Sequence, residues 1–430
     1  MDLGIVCQKA STGGVRYAVM LAGAIRRTAP HVSVTLHHGR NVVDHAAREE
    51  LLAADVRLNQ IGPPPRARTP RFFKPKRYVN WPPVDRALNA LRLAYRDRAD
   101  RKWHGSLAKA LDQHDVVHFA WPYEIDPPSL RVPTSFIPHD FIYSHEFGVP
   151  WPDRDFWASS HVVVGRWLDR ATPIVSSDFI AGELHRVFPA YQRPVEVIYL
   201  SNLHAVPPGP PDPRRAEATC RRLGVSGRFI LCPNNVMPHK NLSLLIAALW
   251  HMRQDGEDVR LVVVGPGTDG IRARVHGPLY GDRVEPPADW DMLGLGLVDD
   301  VDLLDLMRQS LLVVNPSLCE AGAGSALDAW GCGCAVALSD IPAFRDQVRY
   351  LGTRAAFFDP RDPRDAASVM LAMIREPTTR AADAEVSRAA LQRYDWNEVA
   401  RRYLDVFEAL CGKDPHADAG SLGDAKRNHL

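Results

Sequence analysis

No apolar run in the 430-residue sequence approaches the roughly 18 to 20 residues needed to span a bilayer. The opening Met1-Asp2-Leu3-Gly4-Ile5-Val6-Cys7 lacks the basic n-region and long apolar core of a secretory signal. These absences predict a soluble protein whose first residues already form a core strand. Excess charge of either sign is also missing: 52 Lys and Arg face 51 Asp and Glu, for a formal net charge of +1. No global field then recruits nucleic acid or an anionic membrane, so nucleic acid is not an expected partner. Cysteine is sparse and odd in number, with Cys7, Cys220, Cys232, Cys319, Cys332, Cys334 and Cys411 scattered through mostly apolar runs. That pattern excludes a disulfide framework and predicts a reducing, cytoplasmic setting. Cys332-Gly-Cys334 is the one close pair, and no second Cys or His pair stands at zinc-finger spacing. It reads as two small buried residues, with metal binding there the lesser alternative, and no metal is expected. A repeat of about 20 to 50 residues is absent as well.

What is present is 46% apolar and 24% charged, enough for a large core and, at about 150 residues per domain, for two or three domains. Short apolar runs alternate with helix-like stretches at Leu3 to Cys7, Val32 to His37, Val116 to Phe119, Thr134 to Pro138, His161 to Val164, Pro173 to Ser176 and Val195 to Tyr199. A second series follows at Phe229 to Cys232, Arg260 to Val264, Leu311 to Asn315 and Ala335 to Leu338. Continuous rather than alternating hydrophobicity means strands buried on both faces, which predicts an α/β fold of doubly wound parallel sheets. The proline-rich Val206-Pro207-Pro208-Gly209-Pro210-Pro211-Asp212-Pro213 can form neither helix nor central strand and reads as a linker between two such domains. Ligands of open parallel sheets bind at the carboxyl ends of the strands.

The stretch from Pro63 to Tyr78 carries Arg66, Arg68, Arg71, Lys74, Lys76 and Arg77, no acids and three aromatics. It is either a solvated loop or a patch for an anionic acceptor or membrane headgroup, which would bring the protein to the inner membrane surface. The polar tail 412–430 reads as disordered.

Three segments carry candidate chemistry. After the first strand, Gly13 and Gly14 precede a helix-patterned run from Val15 to Ile25, where a phosphate or sugar could approach the backbone. The full G-x-G-x-x-G fingerprint is missing, which disfavours a nicotinamide cofactor, and an ordinary glycine turn is the plainer reading. Phe229 to Asn241 runs from a strand through a polar loop into a helix, placing Lys240 where its ammonium could meet a phosphate. In Leu311 to Gly331 a strand ends in Pro316-Ser317, Glu320 follows, then the small residues Ala321 to Ser325, then a helix with Asp328. Exposed backbone amides suit a diphosphate, and the two acids suit sugar or ribose hydroxyls. Asp289-Trp290-Asp291 imitates a metal-binding D-x-D motif but reads as a loop, and His104, His114, His118, His145 and His161 show no triad or metal spacing.

Taken together these segments resemble the retaining glycosyltransferases of family four, the group 1 glycosyltransferases. The Glu320-x7-Asp328 segment after Pro316-Ser317 is similar to that family's Glu-x7-Glu signature, Pro238-His239-Lys240-Asn241 to its P-x-K-N loop, and Gly294 to Asp300 to its glycine turn. Likeness is strong from about Arg228 to Asp359; in the N-terminal half it rests on Gly13-Gly14 and on Ile137-Pro138-His139-Asp140, which resembles a mannosyltransferase-like branch. The resemblance implies GT-B architecture, two Rossmann-like domains facing across a cleft. Residues 1–205 would form the acceptor-binding domain and 206–390 the nucleotide-sugar-binding domain, with a 391–411 helix packing back on the first. It implies hexosyl transfer from a nucleotide diphosphate sugar, leaning to GDP-mannose, to a hydroxyl of a glycan, lipid or small molecule, with retention and without metal or other cofactor.

The roles implied are His139 at the transferred sugar, Lys240 at the diphosphate, Glu320 at the sugar hydroxyls, Gly13 and Gly14 near donor phosphate or sugar, Val298 at the base and Asp328 at the ribose diol. Gly322, Ala323, Gly324 and Ser325 would offer amides to the diphosphate, and Asn235 stands where many members carry a donor-binding Arg. Three departures are visible: Asp328 is one methylene shorter than the family's Glu, Asn235 is uncharged, and Gly322-Ala323-Gly324 replaces bulkier residues. On the same architecture an epimerase or a non-catalytic nucleotide-sugar-binding protein are the alternatives.

Overall fold

The computed structural model describes residues 1–8, 12–40, 42–62, 104–123, 125–145, 154–204, 212–270 and 292–412. The basic segment carrying Arg66 to Arg77, the linker residues 206–211, Asp289-Trp290-Asp291 and the tail beyond 412 lie outside them.

Thirteen strands among the described residues form two sheets. The first contains β1 (Asp2–Cys7), β2 (Ser33–His38), β3 (Arg57–Gln60), β4 (Val116–Phe119), β5 (Thr134–Phe136), β6 (Thr172–Val175) and β7 (Glu196–Val197), in the order β3-β2-β1-β4-β5-β6-β7. The second contains β8 (Phe229–Pro233), β9 (Arg260–Val264), β10 (Met292–Gly294), β11 (Val313–Asn315), β12 (Val336–Ser339) and β13 (Ala356–Phe358), in the order β10-β9-β8-β11-β12-β13. Pairing is parallel from β3 to β6 and throughout the second sheet. Each sheet therefore reverses its winding once, between β1 and β4 and between β8 and β11, and such switch points leave a crevice at the strands' carboxyl ends.

The helices with described bounds are α1 (Thr12–Thr28), α2 (His45–Ala53), α3 (Arg154–Leu168), α4 (Asp178–Val187), α5 (Pro213–Arg222), α6 (Leu242–Gln254), α7 (Asp300–Gln309), α8 (Gly324–Gly331), α9 (Pro342–Leu351), α10 (Pro363–Arg375), α11 (Pro377–Arg393) and α12 (Trp396–Cys411). By contacts the chain divides into two compact units: Met1–Pro138 with Asp155–Ile174 and Ala400–Leu430, and His139–Arg154 with Val175–Val399.

The second sheet shows why its strands read as unbroken apolar runs. Leu231, Val262, Val264, Val313, Val336 and Leu338 enter one core with Trp330 of α8 and Phe344 of α9. Their alternates Ile230, Cys232, Leu261, Val263, Val314 and Ala337 enter the other with α6 and α10. Both faces are thus buried under helices. In the first unit a buried polar chain crosses the core. Tyr17 Oη donates to Tyr403 Oη at 2.8 Å and meets His118 Nε2 at 2.7 Å, while His118 Nδ1 meets Ser135 Oγ at 2.9 Å. Because Tyr17 gives its proton to Tyr403, the Tyr17 oxygen is left to accept from His118 Nε2.

Two sequence expectations change. His161 to Val164 is not a strand but part of α3. Its Ser160, Val163, Val164, Trp167 and Leu168 are buried while Val162 is exposed, a helical period that a run of four residues cannot reveal by itself. Helix α1 starts at Thr12, so Gly13 and Gly14 lie in its first turn rather than ahead of it. First-turn amides have no intrahelical partner, so the backbone remains available there.

The loop after β8 is held by Asn241. It is fully buried with φ +53°, and its Nδ2 donates to the carbonyls of Pro316 at 3.1 Å and Pro360 at 2.9 Å. Alanine at 241 would be strained in this left-handed conformation and would leave two buried carbonyls unpaired, a cost of about 2 to 4 kcal/mol. Asn241→Gly relieves the strain but not the lost bonds, and should cost about 1 kcal/mol less. Urea unfolding of the two variants measures the difference, and equal midpoints would show that the backbone conformation contributes nothing.

Candidate functional site

Lys240 and Glu320 come from the loops that follow β8 and β11, the two strands flanking the switch point of the second sheet. Three further contacts hold those loops together. Leu318 N–H donates to the His239 carbonyl at 2.8 Å, Asn241 reaches Pro316 as above, and Asn234 Nδ2 donates to Asn315 Oδ1 at 3.2 Å. The result is a direct ion pair between Lys240 Nζ and Glu320 Oε1, with the two side chains 16% and 10% exposed. Ser317 Oγ donates to the same Oε1 at 2.7 Å, and among the described residues Oε2 has no hydrogen bond.

Burial would raise the Glu320 carboxyl, but the charge of Lys240 and the bonds from Lys240 and Ser317 hold it below the usual range. Neighbouring His239 is pulled down to about 4, first by burial and then by the Lys240 charge, and so stays neutral. Asp140, immediately after His139, stands in the same electrostatic neighbourhood. Burial lifts its carboxyl to about 6, the Ile142 N–H at 3.2 Å and Lys240 oppose this, and Glu320 adds to it. His139 itself is half-buried and falls in the same compact unit as Lys240 and Glu320. Two carboxylates beside one ammonium form the kind of perturbed cluster that marks functional sites.

The remaining sequence-derived candidates separate. Asn235 Oδ1 accepts from Met237 N–H at 3.0 Å, closing a local turn that shapes the Lys240 loop. Gly265, with φ +148°, allows Asn234 to approach so closely that a side-chain carbon would sit 2.6 Å from its carbonyl oxygen. Val298 is partly buried and packs on the core of the second unit. Of the small residues after Glu320, Ala323 N–H donates to Gln347 Oε1 at 2.7 Å, so one of the expected open amides already has a protein partner. A side-chain carbon on Gly324 would lie 2.9 Å from Leu203 Cδ1, so packing of Leu203 accounts for that glycine. Ser325 Oγ is 3.4 Å from Asn315 Nδ2. In the first unit Gly14 is buried and Gly13 exposed, and among the described residues nothing lies within 4 Å of a side-chain carbon built at Gly13.

Asp328 is the largest departure from expectation. Its Oδ1 accepts from the backbone N–H groups of Leu203 and His204 at 2.8 and 2.9 Å, and its Oδ2 from His204 Nδ1 at 2.8 Å. Three bonds on a carboxylate that is 3% exposed leave about one acceptor site out of four, too few for both hydroxyls of a diol. Asp140, Ser317, Asn241 and His204 were not singled out in the sequence. Asp140, Ser317 and Asn241 stood in the quoted motifs, beside His139, Pro316 and Lys240, but were given no role there; for His204 there was no local signal. No cluster of three or more His, Cys, Asp or Glu suited to a metal ion occurs among the described residues.

Residues 227–376 match the profile of the family described as "Glycosyl transferases group 1". A D-inositol 3-phosphate glycosyltransferase of Xylanimonas cellulosilytica is 31% identical over 239 residues, 50% of this chain and 53% of that protein. A phosphatidyl-myo-inositol mannosyltransferase of Mycobacterium tuberculosis is 29% identical over 191 residues, 43% and 47% respectively. The chain spans about half the length of these curated relatives. Among solved structures, Anabaena Alr3699/HepE in complex with UDP and glucose superposes with a TM-score of 0.63 at 15% identity, over 95% of this chain and 100% of that one. WaaG, a glycosyltransferase involved in lipopolysaccharide biosynthesis, superposes with a TM-score of 0.61 at 14% identity, over 95% and 99%. The likeness at such low identity establishes the fold, and the matched segment contains both members of the ion pair at the switch point. The chain thus has the GT-B fold, and its residues 227–376 are a glycosyl transferases group 1 domain.

Proposed function

We propose that the protein is a glycosyltransferase that moves a hexosyl group from a nucleotide diphosphate sugar to a hydroxyl acceptor with retention of configuration. The observation that carries this reading is the Lys240–Glu320 pair at the switch point of a group 1 domain. A buried ion pair contributes little to stability against an apolar alternative, so two opposite charges retained at the ligand end of a sheet argue for use.

The chemistry follows from the charges. Departure of the diphosphate places negative charge on its bridging oxygen and positive charge on the sugar ring. Donor binding draws Lys240 from Glu320 to the diphosphate, where the ammonium stabilises the leaving group, as a divalent cation does elsewhere. Glu320, relieved of its partner, accepts from sugar hydroxyls with Oε2, and its held-down pKa keeps it ionised for that task. His139 orients the transferred sugar, and Asp140 lies beside it. The acceptor hydroxyl attacks from the face the diphosphate leaves, and the departing oxygen takes its proton, so no separate base or metal is required.

Support for a nucleotide sugar comes from Alr3699/HepE, solved with UDP and glucose and with UDP-glucose. The mannosyltransferase relative and the His139-Asp140 strand end favour a GDP-mannose donor. Both curated relatives are named for an inositol bearing a phosphate group, which favours a polyol phosphate or its lipid as acceptor.

Lys240→Ala should lower turnover on the order of a hundredfold with the fold intact by circular dichroism; near-normal turnover would refute its role. Activity should survive chelation, and strict dependence on added Mn or Mg would contradict the metal-free chemistry. The pH dependence has a definite sign. Asp140 is raised from 3.8 to about 6, so the native state holds this proton more tightly and stability falls as pH rises between those values. Asp140→Asn should remove that slope and melt above the native protein at pH 7, which a series of thermal melts from pH 4 to 7 would reveal.

A further inference from the structure

We propose that His204 and Asp300 form the element that recognises the vicinal diol of the donor's ribose, with Asp328 acting as the positioning residue that holds His204. This rests on the nucleotide-sugar reading above. It begins from the three bonds on Asp328, whose two oxygens take the Leu203 and His204 amides and the His204 ring within 2.9 Å. The acid is a clamp for segment 203–204, and Gly324 at the start of α8 lets Leu203 settle over that helix.

The clamp aims the other end of the imidazole. His204 Nε2 faces Asp300 Oδ1 at 3.4 Å, longer than the roughly 2.7 to 2.9 Å of a charge-assisted bond. Asp300 is the first residue of α7, closely following the Gly294 to Asp299 turn at the carboxyl end of β10, and its side chain is 36% exposed against 16% for His204. Burial lowers the His204 pKa, but the bonds to Asp300 and Asp328 outweigh it and hold the group up to about 9. At neutral pH the ring is an imidazolium with both N–H groups as donors. A donor N–H and an acceptor carboxylate side by side, 3.4 Å apart and both partly open to solvent, match what two adjacent hydroxyls require: one accepts from Nε2, the other donates to Asp300. Nucleotide binding would then replace one long contact by two shorter ones. The shortened acid at 328 and the histidine at 204 are two halves of one arrangement.

The test is calorimetric titration of the full-length chain with GDP and UDP and with their 2′,3′-dideoxy forms. The native protein should bind its preferred ribonucleotide about tenfold more tightly than the dideoxy form, the scale of one or two hydrogen bonds to a charged group. His204→Gln and Asp300→Asn should each bring that ratio towards one while leaving the dideoxy affinity within about twofold. A purely structural role for His204 would weaken both nucleotides together and keep the ratio. Asp300→Asn, at an exposed side chain, gives a readout even if His204→Gln lowers the melting temperature. A ratio that survives in Asp300→Asn, or a native protein indifferent to the diol, overturns the proposal while the donor site stands. A native protein that binds neither GDP nor UDP overturns the donor reading and this proposal with it.

Discussion

The structure of the second unit is organised around two opposite charges that must be brought together in a place of low exposure. Lys240 and Glu320 are eighty residues apart in the chain and meet because β8 and β11 are neighbours in a sheet whose other connections run outward on both sides. Nothing in either loop alone would create the contact. Parallel pairing places both loops at the same end of the sheet, and the reversal of winding keeps helices from covering that end. The unbroken apolar runs of the strands are therefore a precondition of the site's chemistry, since burial on both faces holds β8 and β11 side by side beneath the two loops.

Neutral groups complete the arrangement. The Leu318 amide, through the His239 carbonyl, and the side chains of Asn241 and Asn234 tie the two loops together, so the charges do not have to hold them. His239 is buried next to Lys240 and stays uncharged, which keeps the local balance at one ammonium against Glu320 and a half-protonated Asp140 near pH 6. A site so balanced can exchange its internal partner for a ligand without leaving an uncompensated buried charge, which would be costly.

The legible part of this site was the part carried by local chemistry. Lys240, Glu320 and the strand ends stood out because residue type and spacing announced them. The small residues after Glu320 were legible as small but not for their reason. Gly324 makes room for Leu203, and Ala323 surrenders its amide to Gln347, both partners distant in the chain. Asp328 misled in the same way: a carboxylate at the right spacing looks ready for hydroxyls, while its actual partners lie 124 and 125 residues away. The helix containing His161 to Val164 shows the converse, a short apolar run whose period emerges only once its burial is known.

By itself the amino-acid order determined that there are two doubly wound parallel units, because runs buried on both faces admit few other architectures, and it pointed to the loops after β8 and β11, whose Lys240 and Glu320 meet. Tertiary structure decided which side chains remain open to a ligand. A polar group's availability depends on whether a partner from elsewhere in the chain has already taken its lone pairs, as with Asp328, or has left one oxygen without a bond among the described residues, as with Glu320. That occupancy is a property of contacts between residues far apart in the chain, which spacing along it does not encode.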